Sequence, residues 1–594
     1  MHRVLVLGAS STASYLAQGL KRRGFKVHFG DPCAQKRIQG ASSWEALGQV
    51  LQNFSRNFSS DTLWVHPGTS LWGEHLKFLQ LASQEGLRVI GPSEPLASFQ
   101  DQWKFFQEVS RLQIPHVVQS FEVLKSYAEL TQWMKGSENP WTLRSVARLG
   151  SLGYFLAEHG PYLERSFELW LEQLRLQEVE PSFFIQRFFS EARHLVIPFV
   201  RLPTGEVQFF PITDASLQQG SSKIIEFCPV FRLSNAVRTE LFARTKRLAE
   251  NFNYVGLGSF EYLVEGERSY LVEVTPRLST HFALWEQVTK TRVVDWQLAA
   301  LGFDFVPALK LSPQSSWSVA IALRLCAKDS VYHLPQPGKI EVLGVFSEEN
   351  ARLDWNYQQG EEVAYDHLGF LGILLVEASH RKLAMIQSIR SLDRVWIAGG
   401  LKTNERFLLE ILRHPWVESG IFHRGFLDEE FVPSTRPPRD YVSFAMGLCE
   451  KKVSTEVRWS AAGEWVKERE DAGDAGLQAL AEASLIRYYI HQVDALSFML
   501  RIQSWQFDLR ASQKEKAFLR ACVSGRVHFL GSSGLVPRGQ LLVVIESMGF
   551  LVPQSLTQEV QLGYWQVQVG DQVLFGQALA HIQGILGESY RSVF

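Results

Sequence analysis

Four runs of strand character open the chain, VLVLGA, FKVHFG, TLWVHPG and LRVIGPS, and helix-like stretches such as TASYLAQGLKRRG and GEHLKFLQLASQEG separate them. This alternation is the tightest constraint in the sequence: strands joined through helices return in the same direction and make a parallel sheet covered by helices. A βαβ unit over residues 1–100 is therefore expected. The lone Gly8 in VLGASS does not make the GxGxxG turn of a dinucleotide site. From about residue 140 to 300 strands and hairpins dominate, and a mixed α/β pattern continues to about 432. FVPSTRPPRDY, residues 431–441, carries three prolines and reads as a linker. Beyond it an acidic, glycine-containing stretch, EREDAGDAG, precedes short strands (SLIRYYIHQ, ALSFMLRIQ, WQFDLR), read as a small β-rich domain.

The last seventy residues hold an internal repeat. VPRGQLLVVI and VLFGQALAHI share V-x-x-G-Q-x-L-x-x-I, with Gly539 and Gly576 in the same place. Two similar β units are expected to face each other, with ESMGF on the connection between them. The chain has 594 residues, 46% hydrophobic and 21% charged, enough for several domains that each bury a core. Its formal charge of −2 gives no general attraction to nucleic acid or anionic lipid. No stretch approaches the roughly 18 uninterrupted apolar residues of a membrane span. The apolar run at the start stops at Gly8, unlike a signal peptide. Five scattered cysteines without metal spacing suit a reducing cytoplasm.

The segment GSFEYLVEGERSYLVEV reads as a hairpin centred near Glu267. Glu261 and Glu273 each lie six residues from that centre and so face each other on one side. Opposed carboxylates repel, and a divalent cation between them turns the cost into a site; hard oxygen ligands suit Mg²⁺ that bridges nucleotide phosphates. The plain alternative is a solvated face on which Arg277 balances the charge.

The motifs HPGTSLWGEHLKFLQLASQEGLRVIGPSE, RHLVIPFVRLPTGEV, GLGSFEYLV, EVTPRLSTHFALWEQVT, LPQPGKIEVLG and GLKTNERFLLEIL follow in order over roughly residues 1–430. Together they resemble the α subunit of biotin-dependent acyl-CoA carboxylases. The resemblance implies a multidomain α/β chain: a biotin carboxylase N-terminal domain (1–100), an ATP-grasp domain (101–304, lid about 140–205) and a biotin carboxylase C-terminal domain (305–432). A connecting β-rich domain (433–519) and a flattened β-barrel like a biotinyl domain (520–594) complete it. It also implies ATP and Mg²⁺ as cofactors, Glu261 and Glu273 as metal ligands, and nucleotide contacts from Arg144, Gly150, Gly153, Gln186, His194 and Gln218. Lys223 and Arg277 fall where carboxyphosphate and bicarbonate are held, and Arg352, in ARLDW, where an arginine stands near biotin. A carboxyltransferase β subunit, or another carboxylase component, is the implied partner, and an oligomer the implied assembly.

Departures from the family pattern accompany the matches. The biotin-accepting lysine of the hairpin tip is Gly549, which has no amine to acylate, so biotin is not expected on this chain. One ATP-clamping lysine is Gln102, with Lys104 close enough to supply a charge from a shifted register; the other is Arg144. The glycine-rich lid is SVARLGSLGY, bulkier at Ala147, Arg148 and Leu149. The third metal ligand, an asparagine, is Thr275, and a nucleotide-strand histidine is Ser221. The bicarbonate base, a glutamate, is His281, preceded by Ser279 and Thr280; an imidazole can accept a proton near pH 7, or the histidine is structural. The reading is a carboxylase-like subunit that binds ATP and Mg²⁺ but is catalytically degenerate, a pseudoenzyme with a regulatory or structural role. Its rivals are an active biotin carboxylase serving biotin on a separate carrier, another ATP-grasp carboxylate–amine ligase, and a binding module without nucleotide.

Overall fold

In the computed structural model the strands Lys26–Gly30, His2–Leu7, Thr62–His66 and Arg88–Val89 lie side by side in that order, all parallel. The helices Ser11–Arg22, Ser43–Asn57 and Leu76–Gln84 make the crossovers, as the alternating pattern requires. The structure describes residues 2–433 apart from 9–10, 31–42, 59–60, 70, 92–95, 137–139, 150–152, 161–162, 177–178, 281, 304–317, 331–335, 345–349 and 364–368. Beyond 433 it describes separate strands and turns between 458 and 585. Among the described residues no helix is long and apolar enough to cross a membrane.

A largely antiparallel sheet of nine strands forms the centre. Its order is Arg268–Thr275, Gly256–Glu265, Arg193–Arg201, Thr213–Gln219, Ser222–Cys228, Val319–Cys326, Phe370–Ala378 and Ala351–Trp355, with Val207–Phe209 paired beside Arg193–Arg201. Strands from both sides of the expected boundary at 304/305 share this sheet, because Ser222–Cys228 pairs with Val319–Cys326. The N-terminal unit is welded to it by one core that joins Val4, Leu16 and Leu20 to Trp285, Trp296, Leu257 and Ala320. Phe210 stacks on Trp285 at 5.5 Å, and Trp285 and Trp296 are both buried. Each such aromatic buries roughly 150–250 Å², on the order of 4–6 kcal/mol at about 25 cal/mol per Å².

Above the centre sits a small lid. Its strands Tyr154–Ala157, Trp141–Ser145 and Phe183–Arg187 pack on the helices Tyr127–Met134 and Leu163–Leu176. Ser126 and Glu129 form a reciprocal capping box that starts the first of these helices. The lid sheet closes at Arg187, and Arg193–Arg201 already belongs to the central sheet, so with the helix Tyr127–Met134 the lid both begins and ends earlier than the expected span 140–205. A fourth sheet, Glu362–Val363, Gly338–Gly344 and Trp396–Gly399, flanks the far end.

Past the linker, Tyr488–Gln492, Ser497–Ile502 and Trp505–Arg510 form an antiparallel three-stranded sheet. The tail has two four-stranded sheets. In one of them Leu541–Ser547 pairs with Phe550–Ser555, and Ser547 stands opposite Phe550. Residues 548 and 549, where the tip with Gly549 is expected, lie outside the described residues.

Candidate functional site

Asp101 accepts a hydrogen bond from the Lys104 amide at 3.0 Å and so caps the helix Gln102–Arg111. The cap fixes the helix phase. Gln102, its first residue, points inward and is buried; Lys104 turns to solvent and pairs with Asp101 at 3.3 Å. The expectation that Lys104 could replace a clamping lysine is therefore not met. Gln102 instead donates to the carbonyls of Ser145 (3.0 Å) and Ala147 (3.3 Å), at the root of the lid.

Between lid and central sheet lies a cavity of about 340 Å³. The lid contributes Thr142, Arg144, Leu149, Tyr154, Gln186 and Arg187. The central sheet and its loops contribute His194, Gln218, Lys223, Glu261, Glu273, Thr275, Arg277, Ser279, Thr280 and Arg324. Glu74 reaches in from the N-terminal unit and Arg424 from the C-terminal one. Among the described residues, the six side chains Arg144, Arg187, Lys223, Arg277, Arg324 and Arg424 outnumber the three carboxylates Glu74, Glu261 and Glu273, so the cavity suits a polyanion.

The register of the hairpin agrees with the sequence: Glu261 stands directly opposite Glu273, with a bulge immediately after Glu261. Their surroundings differ. Glu261 is 2% exposed and accepts from Lys223 Nζ at 2.7 and 2.8 Å and from His194 Nε2 at 2.7 Å. His194 Nδ1 meets Gln218 Oε1 at 2.9 Å, and Gln218 Nε2 donates to the Gly220 carbonyl at 3.1 Å. Glu273 is more open, with 27% of its side chain exposed, and accepts from Arg144 Nη2 at 3.0 Å. The solvated-face alternative fails for Glu261, and Arg277 is not its counter-ion: Arg277 Nε binds Glu74 at 2.5 Å.

Among the described residues, four buried polar atoms lining the cavity have no protein partner: Thr142 Oγ1, Gln186 Nε2, Ser279 Oγ and Arg324 Nε. Thr142 and Gln186 sit opposite each other on paired lid strands. Leaving such groups unpaired costs about 1–3 kcal/mol each, a cost that a polar ligand removes. For a divalent cation, the two opposed carboxylates supply hard oxygens. Mg²⁺ commonly takes only one or two carboxylates beside phosphates and water, so the donor set fits even though the described residues hold no cluster of three His, Cys, Asp or Glu side chains.

Arg352 is not in the cavity. It lies on the edge strand Ala351–Trp355, bound bidentate to Asp354 at 2.7 and 2.9 Å and 4.3 Å above the Tyr15 ring. Arg324, on Val319–Cys326, reaches the cavity instead and donates to Thr280 Oγ1 at 3.1 Å. Gly153 packs against the lid, since a Cβ there would stand 3.3 Å from that of Ser145. Gly150 and His281 lie outside the described residues.

The family model described as "Carbamoyl-phosphate synthase L chain, ATP binding domain" matches residues 101–304, and "Biotin carboxylase C-terminal domain" matches residues 322–429. The chain carries biotin carboxylase domains. It is homologous to carboxylase α subunits: 27% identical over 432 residues to the mouse mitochondrial methylcrotonoyl-CoA carboxylase subunit alpha, covering 69% of this chain and 58% of that protein. To the pyruvate carboxylase of Staphylococcus aureus it is 26% identical over 373 residues, 61% of this chain and 32% of the relative. It thus spans between a third and three fifths of these curated relatives. Its fold is similar to the Campylobacter jejuni biotin carboxylase, solved as a "beta-gamma-ATP" complex, with TM-score 0.63 and 22% identity over 72% of this chain and 98% of that one.

Sequence reasoning missed Glu74, in the N-terminal unit, and Tyr154, Arg324 and Arg424 within the matched domains. Glu74 ends the stretch HPGTSLWGE, but its partners Arg148 and Arg277 are far along the chain.

Proposed function

We propose that this chain is a carboxylase-type subunit that binds ATP with Mg²⁺ in the cavity under the lid and carries no biotin of its own. One observation carries the reading: an excess of cations around two opposed carboxylates, in a cavity where Thr142 Oγ1, Gln186 Nε2, Ser279 Oγ and Arg324 Nε are buried without a protein partner among the described residues. Arg144, Gln186, His194, Gln218 and Lys223 would hold the nucleotide and its phosphates, while Glu261 and Glu273 would hold the metal, whose charge offsets that of the phosphates. Lys223 is close enough to Glu261 to exchange between carboxylate and phosphate. Arg277, oriented by Glu74, and Arg324, oriented by Thr280, would hold a second anion beside them.

With Gly549 at the tip, such a subunit acts beside components that carry the biotin, and a carboxyltransferase subunit is the fitting partner. Catalytic degeneracy is the proposed state, supported by Gln102 spending its amide on the lid backbone rather than on phosphate. A second reading, a carboxylase that works on biotin carried by another protein, is favoured by Lys223, Arg277 and Arg324 all facing the cavity. Calorimetry with ATP and Mg²⁺ tests the binding. Bicarbonate-dependent phosphate release with free biotin separates the two readings: none is expected from a degenerate subunit.

A further inference from the structure

The lid helix Leu163–Leu176 has two faces. Phe167, Trp170, Leu171 and Leu174 recur at helical spacing and fill the lid core, where Trp170 lies 5.5 Å from Phe155 on the strand Tyr154–Ala157. Arg165, Leu169 and Glu172 also recur at helical spacing, on the side turned away from that core. A face with a charge at each end would ordinarily meet water, yet Leu169 in its middle is buried. The strand Phe550–Ser555 of the tail lies against this helix.

The tail meets the outer face with two neighbouring side chains. Arg165 Cζ stands 4.4 Å from the centre of the Phe529 ring, and His528 Nε2 lies 2.8 Å from Glu172 Oε1. Adjacent residues of a regular strand point to opposite sides of the sheet, so both could not face one helix. The pairing of Gly525–Leu530 with Leu541–Ser547 resolves this: Val527 stands opposite Ile545 and Phe529 opposite Val544, a bulge whose extra residue is His528. Val527 and Leu530 both pack in the tail core, three positions apart instead of two, and His528 and Phe529 are left together on the other side. Arg165 Nη1 donates to Glu168 at 3.2 Å, while its Nε is buried without a polar partner among the described residues. The guanidinium is thus partly out of water, where the face of an aromatic ring attracts a cation more strongly.

We propose that the tail is a docking module whose partner is the lid of its own chain, seated on the outer face of Leu163–Leu176 through the bulge at His528. A tail with Gly549 in place of an acceptor lysine still has this surface, and a bulge that re-aims a side chain is a built feature of a strand. The docking goes beyond the nucleotide reading and does not depend on it, because Arg165, Glu172, His528 and Phe529 do not line the cavity. The seat stands behind the lid strands that carry Arg144 and Tyr154 to the cavity.

Substitutions on one element, read out on the other, test it in the full chain. Glu172→Lys should speed hydrogen exchange in the tail strand Gly525–Leu530 at least about threefold, and Phe529→Ala should do the same in the helix Leu163–Leu176. In both, the helix Asn235–Asn251 should exchange as in the parent. Reversing the pair, Glu172→Lys with His528→Glu, should return the strand's amides at least halfway to the parent rate. Small-angle scattering should give a larger radius of gyration for Glu172→Lys and for Phe529→Ala than for the parent and the reversed pair. Three results would overturn the proposal. The first is exchange that changes only within the substituted element, and the second a reversed pair no closer to the parent than Glu172→Lys. The third is a radius of gyration that falls when the parent is diluted, which marks docking between two copies.

Discussion

Replacing Glu261 by glutamine keeps the side chain's shape and removes the charge that Lys223 and His194 share. Glu261 is 2% exposed, and the side chains in the Lys223 pair are 12% and 3% exposed, so water screens them little. Removing one partner of a buried pair typically costs about 3–5 kcal/mol, because the other charge is left without compensation. The lower end, about 3 kcal/mol, is expected here, since Lys223 keeps some access to the cavity. For a unit of about 200 residues, the span matched as the ATP-binding domain, this lowers its calorimetric transition by roughly 6–12 °C. Glu261→Leu combined with Lys223→Met should recover at least half, because no uncompensated charge remains. A shift of Glu261→Gln below about 1 kcal/mol, the size of an exposed pair, would refute the reasoning and restore the solvated-face alternative.

Other outcomes follow from single residues. Intact mass from cells containing biotin ligase should equal the unmodified chain because of Gly549; a biotin adduct on any tail lysine contradicts this. Burial of Glu286, on the helix Phe282–Thr289, pushes its carboxyl up to about 7 from 4.5, against the hydrogen bonds from Tyr15 and the Val293 amide. The folded state then holds this proton more tightly than the unfolded one. The contribution is full below pH about 4.5 and is lost as pH rises to about 7, ~3 kcal/mol in all. Glu286→Gln should flatten that part of the stability profile, and an equal slope in both proteins would count against it. Arg352→Ala should change ATP affinity less than about twofold, since the cavity does not include it; a larger loss would return Arg352 to the site.

The parts that were legible in the sequence are local ones. Six residues on either side of a turn centre fix which carboxylates face each other, so Glu261 and Glu273 could be paired by counting. The parallel N-terminal sheet was equally open to reading, because apolar period and turn residues change together at each strand boundary. What was hidden depends on sheet order and helix phase. Two strands of the C-terminal unit each carry an arginine, and only the pairing of Val319–Cys326 with Ser222–Cys228 puts Arg324, not Arg352, over the cavity. Likewise, the Asp101 cap decides that Gln102 faces inward and Lys104 outward. Glu74 and Arg277 are 203 residues apart in sequence, and no local period links them.

Titration of the parent protein with ATP, with and without Mg²⁺, bears most directly on the central claim. Saturable binding is expected with Mg²⁺, weaker by at least about tenfold when the metal is chelated or when Glu273 is replaced by glutamine, and weakened comparably by Lys223→Met. Absence of binding under every condition, or binding unchanged by chelator and by both substitutions, would contradict a nucleotide–metal site built on Glu261, Glu273 and Lys223.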